Sequence, residues 1–534
     1  MLTVGATSRR FGRSGAAVQI KERGQGAVRV LAHNRDSLRA AVAEVADRVE
    51  LVTQCEVELR YAKAPAPGWV GAPGIRTLSY SLTWNESGCQ AVITAPQPIA
   101  LSVALAAVVR MCTPLPTGTT VPEIAWVASA LPSTGVATET LTAFAGGDQD
   151  PHLRTTDTLI TNTPITDNTV VATGHGSLIQ ITDQRWVGPT TTRNVLVDPL
   201  VHRPIGRRST ASANIVTADL LDLPDYLDTS TVRTLKDVSG VSGAAALSEQ
   251  QRRQLQACGV VLTETERGFA DMQAISVAGR SIALREFTAQ PVIYGWPSVS
   301  MLLVTNRPDF LHRIVEMLSQ QTYPVLELIL ITHGFDLDDH IGSHLHELRY
   351  PVVHQQMPSS MNLGELLGVG SALASGELIT KIDDDDFYGP EHVWDLVVAR
   401  MYSGAQIVGK ALDYIYLAAQ DTTVFRPTYA AEKYTDFVAG GTMLISQGDL
   451  RSVGGWRPVP KSVDRALLDR VLDHQGLVYR THGRGYIYVR HGDADSGASQ
   501  INTSQVSDSH FETKVESVVA GLDRSVLADY GMTT

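Results

Sequence analysis

The chain has 534 residues, which at about 150 residues per domain suggests two to four domains. Its composition, 43% hydrophobic and 19% charged, excludes a mostly disordered, collagen-like or coiled-coil protein. Lys and Arg number 44 against 56 Asp and Glu, a net charge of −12, so no nucleic-acid partner is expected.

The N-terminal stretch MLTVGATSRRFGRSG lacks an apolar core, so no signal peptide is expected. The longest apolar stretch, Ile99 to Val109, falls short of a membrane span, and a soluble cytoplasmic protein is the expectation. Cys55, Cys89, Cys112 and Cys258 are far apart and match neither a zinc pattern nor a disulfide framework. Residues 1–208 read as a β-rich or α+β module. Short strands are expected at Val28–Ala32, Arg76–Thr83, Thr158–Asn162, Thr169–Thr173 and Asn194–Val197. Asp36 or Ser37 can cap a helix with Leu38, Val42, Val45 and Val49 on one face, and Leu101–Met111 reads as a buried helix.

Residues 209–296 read as a mixed helical linker or bridge, with a capping box at Ser248 and Gln251 opening a helix over Glu249–Ala257. From residue 297 the pattern becomes βα repeats. Val299–Val304 is an uncharged apolar run, as in a strand buried on both faces. Pro308 and Asp309 open a helix whose apolar side carries Phe310, Leu311, Ile314, Met317 and Leu318. Strands Leu326–Ile331, Val352–His354 and Leu378–Ile382 follow, with a helix at Leu363–Ala374 before the last of them. This alternation predicts an α/β doubly wound, mostly parallel sheet that binds ligands beyond the carboxyl ends of its strands. Gly368 and Gly370 fall inside the predicted helix, which excludes a dinucleotide fingerprint there. Beyond 491 the chain is a polar tail, 492–534, with a short helix expected over Phe511–Leu527.

The acidic run Asp383-Asp384-Asp385-Asp386 directly follows the strand Leu378–Ile382. Adjacent carboxylates at a sheet mouth repel one another, and hard divalent ions relieve that repulsion best. Alternate residues of an extended segment share a side, so Asp383 and Asp385 can hold one Mn²⁺ or Mg²⁺ that clamps a diphosphate leaving group. The plainer alternative is a solvated acidic turn ahead of the helix near Pro390.

Residues 298–491 resemble family 2 glycosyltransferases of the GT-A fold, which invert the sugar of a nucleotide-diphosphate donor. The resemblance runs from Val299–Arg307 through Gln320-Gln321-Thr322-Tyr323-Pro324 and Ala374-Ser375-Gly376-Glu377 to Ile382–Asp386. It continues at Gly440-Gly441-Thr442-Met443, Val453-Gly454-Gly455-Trp456 and Val463-Asp464. It implies Thr305, Asn306, Arg307, Asp383 and Asp384 at the donor, and Asp385 as principal metal ligand beside Asp383. It also implies Gly441 on the acceptor side and Asp464 as the base that deprotonates the acceptor hydroxyl. His491, at the end of the strand Tyr486–Arg490, matches a position where relatives place a metal-binding histidine. A structural or surface histidine is the alternative.

Two departures stand out. Thr332-His333-Gly334-Phe335-Asp336 replaces the usual acids after the second strand, leaving Asp336 or His333 to contact the nucleotide. Val463 replaces the usual Glu before Asp464. Trp456 can stack on an acceptor sugar or belong to the core, and Lys410 or Arg490 can neutralise phosphate or be solvated.

The expected partners are a nucleotide-diphosphate sugar, a UDP-sugar foremost, and a glycan or other hydroxyl acceptor. The N-terminal module would position the acceptor or mediate homo-oligomerisation. Two competing readings are a nucleotidyl- or phosphotransferase using the same acidic site, and a non-catalytic nucleotide-sugar-binding module.

Overall fold

The computed structural model divides into two compact units, Met1–Pro297 and Ser298–Thr534. It describes nearly all of 296–490, most of 18–45, 50–64 and 78–112, and shorter segments elsewhere up to 285. Asn194–Val197, His491 and the tail 492–534 lie outside the described residues.

The first unit contains a six-stranded sheet in the order Ser8–Phe11, Val18–Gly24, Ala27–Ala32, Leu51–Leu59, Gly88–Ala100, Ser79–Asn85. Its core joins Val28, Val30, Val57, Ala91 and Ile93 of the strands to two helices, Arg35–Val45 and Leu101–Cys112. The first helix starts ahead of both residues expected to cap it. Asn34 takes that place, its Oδ1 accepting from the Ser37 amide at 2.9 Å while Ser37 Oγ accepts from the Asn34 amide at 2.9 Å. Leu38, Val42 and Val45 are buried as expected, and Val49 lies outside the described residues. Cys89 and Cys112, apart in sequence, meet with their buried sulfurs 3.4 Å apart. The strand beside the helix C-terminus brings them together.

Residues 209–296 are not simply a helical bridge. They hold a three-stranded parallel sheet of Ile215–Thr217, Gly240–Ser242 and Val261–Thr263, with a small core of Ala218, Val241, Ala244, Leu247, Leu255 and Val260. Three-residue strands are too short to show a period in sequence. The Ser248–Gln251 capping box is present, with both reciprocal hydrogen bonds made.

In the second unit β1 (Val299–Thr305), α1 (Pro308–Ser319), β2 (Leu326–His333), α2 (Asp339–Glu347), β3 (Val352–Met357), α3 (Leu363–Leu373) and β4 (Leu378–Ile382) alternate. Then follow β5 (Phe387–Tyr388), α4 (His392–Ser403), β6 (Ile407–Lys410), β7 (Tyr414–Leu417), β8 (Thr422–Phe425) and β9 (Lys433–Tyr434). The described part closes with β10 (Leu444–Ser446), α5 (Gln447–Ser452), α6 (Val463–Asp473), β11 (Val478–Thr481) and β12 (Tyr486–Arg490). The main sheet has the order β3-β2-β1-β4-β10-β6-β11-β9, and β5-β12-β7-β8 form a second sheet. Strands β3, β2, β1 and β4 are mutually parallel, and β10 runs antiparallel to its neighbours β4 and β6. This is the expected α/β class.

Every residue of β4 is buried, and all of β1 except the half-buried Val304, because helices cover both faces of the parallel sheet. On one face α3 packs so closely that a Cβ on Gly370 would lie 2.2 Å from Leu302 Cδ1. That contact, inside a helix, is what this glycine serves. From β1 the chain winds outward through β2 to β3, then returns to the other side of β1 at β4. The reversal opens a crevice between the carboxyl ends of β1 and β4, where an open α/β sheet binds its ligand. Gly440–Thr442 forms a 3₁₀ turn leading into β10.

Candidate active site

The crevice is lined by Thr305 at the end of β1 and by the acidic run after β4. The run bends, and its burial alternates: Asp384 and Asp386 are 3% and 1% exposed, while Asp383 and Asp385 are half-buried. The two inward acids hold the fold together. Asp386 accepts from the Tyr486 hydroxyl at 2.6 Å and the Val489 amide at 3.0 Å, tying the run to β12. Asp384 accepts from the Thr305 hydroxyl and is bound by the Arg307 guanidinium, tying it to β1. Asp384 therefore anchors the crevice, with its oxygens engaged by protein.

Arg307 also reaches Asp385 Oδ2 at 2.9 Å, so one guanidinium neutralises two neighbouring carboxylates. Arg313 of α1 donates to the Asp385 carbonyl at 2.9 Å and stacks on Phe310 and Phe387. Gln321 donates to the Gly389 carbonyl at 2.8 Å, and the Thr322 amide to the Pro390 carbonyl at 3.0 Å. The Gln-Thr-Tyr motif thus pins the far end of the acidic loop.

On the other side of the run, Lys381 is 5% exposed. Its Nζ donates to Asp383 Oδ1 at 2.7 Å and to Asp464 Oδ2 at 3.3 Å. Asp464 sits in the first turn of α6, whose Val463, Leu467, Leu468 and Val471 are buried in the core. Val463 is therefore a packing residue where the resemblance has an acid. Asp464 Oδ1 accepts no hydrogen bond among the described residues. A Cβ on Gly440 would lie 2.2 Å from Asp464 Oδ2, and one on Gly441 would lie 2.6 Å from Asp383 Oδ2. The two glycines therefore let backbone approach both carboxylates, and Gly441 is a wall behind Asp383. The Tyr388 hydroxyl bridges the two sides, accepting from the Asp383 amide at 2.8 Å and donating to the Gly441 carbonyl at 3.0 Å.

Burial pushes the Asp383 carboxyl up to about 6, with Asp464 and Asp385 adding to the effect and Lys381 opposing it. Burial also disfavours the Lys381 ammonium, but Asp383 and Asp464 outweigh that and hold its pKa well above the ordinary lysine value.

Several candidates take other places. Trp456 is 8% exposed in the core, its indole donating to Ser371 Oγ of α3 at 2.8 Å, so it packs in the core and not on an open surface. Lys410 is fully buried and bound to Asp395 at 2.6 Å and to the Arg484 carbonyl, so its charge is matched within the protein. Asn306 and Asp336 are exposed at the ends of β1 and β2. Thr332 Oγ1 lies 3.0 Å from His354 Nε2, and His333 is half-buried.

Sequence reasoning missed Lys381 as the bridge between Asp383 and Asp464. The signal was a lysine inside an otherwise apolar buried strand. It also missed Glu327, 4% exposed, which accepts from Ser300, Ser375 and the Gly376 amide at 2.5–2.9 Å. That bond set gives the Ala374–Glu377 motif a structural role at the amino ends of the strands.

Asp413, 4% exposed between β6 and β7, accepts from the Gly483 amide at 3.2 Å, and burial pushes it up to about 6. A raised folded pKa gives stability that is complete below about pH 4 and is lost as pH rises through 6. Asp413→Asn is therefore expected to stabilise the protein by up to about 3 kcal/mol at pH 8 and by little at pH 4. Urea unfolding at the two pH values measures the difference.

No family model matches the chain. Over 131 residues it is 28% identical to “Putative glycosyltransferase EpsH” of Bacillus subtilis (strain 168), a match covering 22% of this chain. The chain spans 37% of the length of that curated relative. The resemblance to glycosyltransferases read from the motifs is borne out by this similarity. Among solved structures, the chain is similar to S. aureus TarS 1–349 in complex with UDP-GlcNAc, with 13% identity and a TM-score of 0.32. That match covers 38% of this chain and 61% of the other. The mannosyltransferase PcManGT from Pyrobaculum calidifontis, with GDP-Man and Mn²⁺, gives 12% identity and a TM-score of 0.29 over 36% of this chain and 57% of the other. GalNAc-T7 with UDP, GalNAc and Mn²⁺ gives 11% identity and a TM-score of 0.32 over 36% and 44%. Among the described residues no helix is long and apolar enough to cross a membrane.

Proposed function

We propose that residues 298–490 carry a metal-dependent, inverting glycosyltransferase that moves a sugar from a nucleotide diphosphate to an acceptor hydroxyl. The observation that carries it is the convergence of Asp383 and Asp464 on the buried Lys381, at the carboxyl end of β4. The similarity to the B. subtilis relative, named as a glycosyltransferase, points the same way.

Asp464 is the proposed base. Its side chain keeps 32% of its surface exposed beside the buried Lys381, so the carboxylate is both reachable by an acceptor hydroxyl and held in place to take its proton. The acceptor oxygen then attacks the anomeric carbon from the face opposite the diphosphate. One C–O bond forms as the bond to the leaving phosphate oxygen breaks, inverting the centre. Thr305, Asn306 and Arg307 line the proposed donor side, with Asp336 at the neighbouring strand end. Asp383 and Asp385, the two half-buried acids of the run, offer the hard oxygen donors that Mn²⁺ or Mg²⁺ prefers. Such an ion, when bound, would neutralise the leaving diphosphate as a Lewis acid. A UDP-sugar is the favoured donor, and a cytoplasmic location goes with this reading.

Thermal stabilisation by UDP, GDP, dTDP and CDP, each with and without Mn²⁺, tests the proposal. The expected result is a metal-dependent rise in Tm with one nucleotide that Asp385→Ala abolishes. No stabilisation by any nucleotide at millimolar concentration would overturn it.

A further inference from the structure

We propose that His312, His340 and His344 form a metal site distinct from the acidic crevice, taking a nitrogen-preferring ion such as Zn²⁺ and joining α1 to α2. His340 and His344 stand four residues apart on α2, one turn along the same helix face. His312 comes from the neighbouring α1. The ligand nitrogens of the three lie within 4.8 Å of one another. The ring centroids are 4.4 Å apart for His340 and His344, 5.0 Å for His312 and His344, and 5.6 Å for His312 and His340.

A second observation concerns the tautomer. His344 Nδ1 lies 2.9 Å from the His340 carbonyl oxygen, so Nδ1–H is the donor and the Nε2 lone pair is left free. A backbone carbonyl orienting the second nitrogen is how proteins hold a metal-binding imidazole. At zinc–nitrogen bonds of about 2.0–2.1 Å, tetrahedral ligand nitrogens stand about 3.4 Å apart. His312 and His340 are exposed, so small side-chain rotations can bring the three nitrogens to that spacing. Water would complete the fourth position. Three imidazoles suit Zn²⁺, Ni²⁺ or Cu²⁺, whereas Mg²⁺ and Mn²⁺ prefer the carboxylates of the crevice.

The site has structural reach. Arg313, next to His312, holds the carbonyl of Asp385, and α2 follows the loop that carries Asp336. A metal shared by the two helices would fasten that loop to the helix anchoring the acidic run.

The test titrates Zn²⁺ into the full-length, chelator-stripped protein by calorimetry, in the wild type and in Asp385→Ala. One equivalent bound in both proteins is expected, with the tetrahedral visible bands of Co²⁺ on substitution. His344→Ala and His312→Gln should each weaken that binding by about 100-fold. His346→Ala, an exposed histidine on the same helix, should leave it unchanged. Zinc affinity unaffected by both His344→Ala and His312→Gln would overturn the proposal, as would binding lost in Asp385→Ala but kept in both histidine variants. Neither result bears on nucleotide binding, so this site and the proposed transferase fail independently.

Discussion

Asp464→Asn is expected to lower sugar transfer by about 10²- to 10⁴-fold while leaving metal-dependent nucleotide binding intact. The amide keeps the size of the carboxylate and can still accept from Lys381, so the first turn of α6 and the Gly440 backbone pressed against it should hold their places. What disappears is the capacity to accept a proton from the acceptor hydroxyl. Turnover measured beside nucleotide-induced thermal stabilisation separates the two. Loss of both together would assign Asp464 to donor binding, and full activity in the variant would remove it as the base.

Lys381→Met should destabilise the second unit by about 1–3 kcal/mol, with the deficit larger at pH 8 than at pH 5. Breaking a fully buried ion pair costs about 3–5 kcal/mol, but solvent reaches both acids here. The Asp383 and Asp464 side chains keep 35% and 32% of their surface exposed, against 6% for Lys381. Burial already pushes Asp383 up to about 6 with the ammonium in place, and removing it drives the carboxyl higher. The stability of a group whose folded pKa is raised is complete below about pH 4 and lost as pH climbs through the folded value. The variant's loss therefore grows with pH across that window. Urea unfolding at pH 5 and pH 8 reads it out, and a deficit independent of pH would show that Lys381 acts by packing.

The alternation was legible because β1, β2 and β4 are largely apolar, buried runs, whereas β3, VVHQQM at the sheet edge, is half-exposed and only its start at Val352–His354 was expected. The helices between them carry an apolar face at helical spacing, and α1 begins at Pro308 as its sequence requires. The alternating burial of the acidic run was legible for a similar local reason, since neighbours at a strand end differ in burial; that one guanidinium reaches both Asp384 and Asp385 across a bend was not. The strands of residues 209–296 escaped because three residues carry no period.

What the sequence determined by itself was therefore local: the α/β class of residues 298–490, the place of the acidic run at a strand end, and the alternation of its burial. The tertiary structure decided what meets across the chain. Strand order carries Asp464 to Lys381, sets Arg307 across Asp384 and Asp385, and seats Trp456 in the core rather than on an open surface. It also gathers His312 beside His340 and His344. Periodicity and propensity act over a few residues, whereas these pairings depend on which strands and helices become neighbours. Packing of the whole core settles that, not the residues that pair.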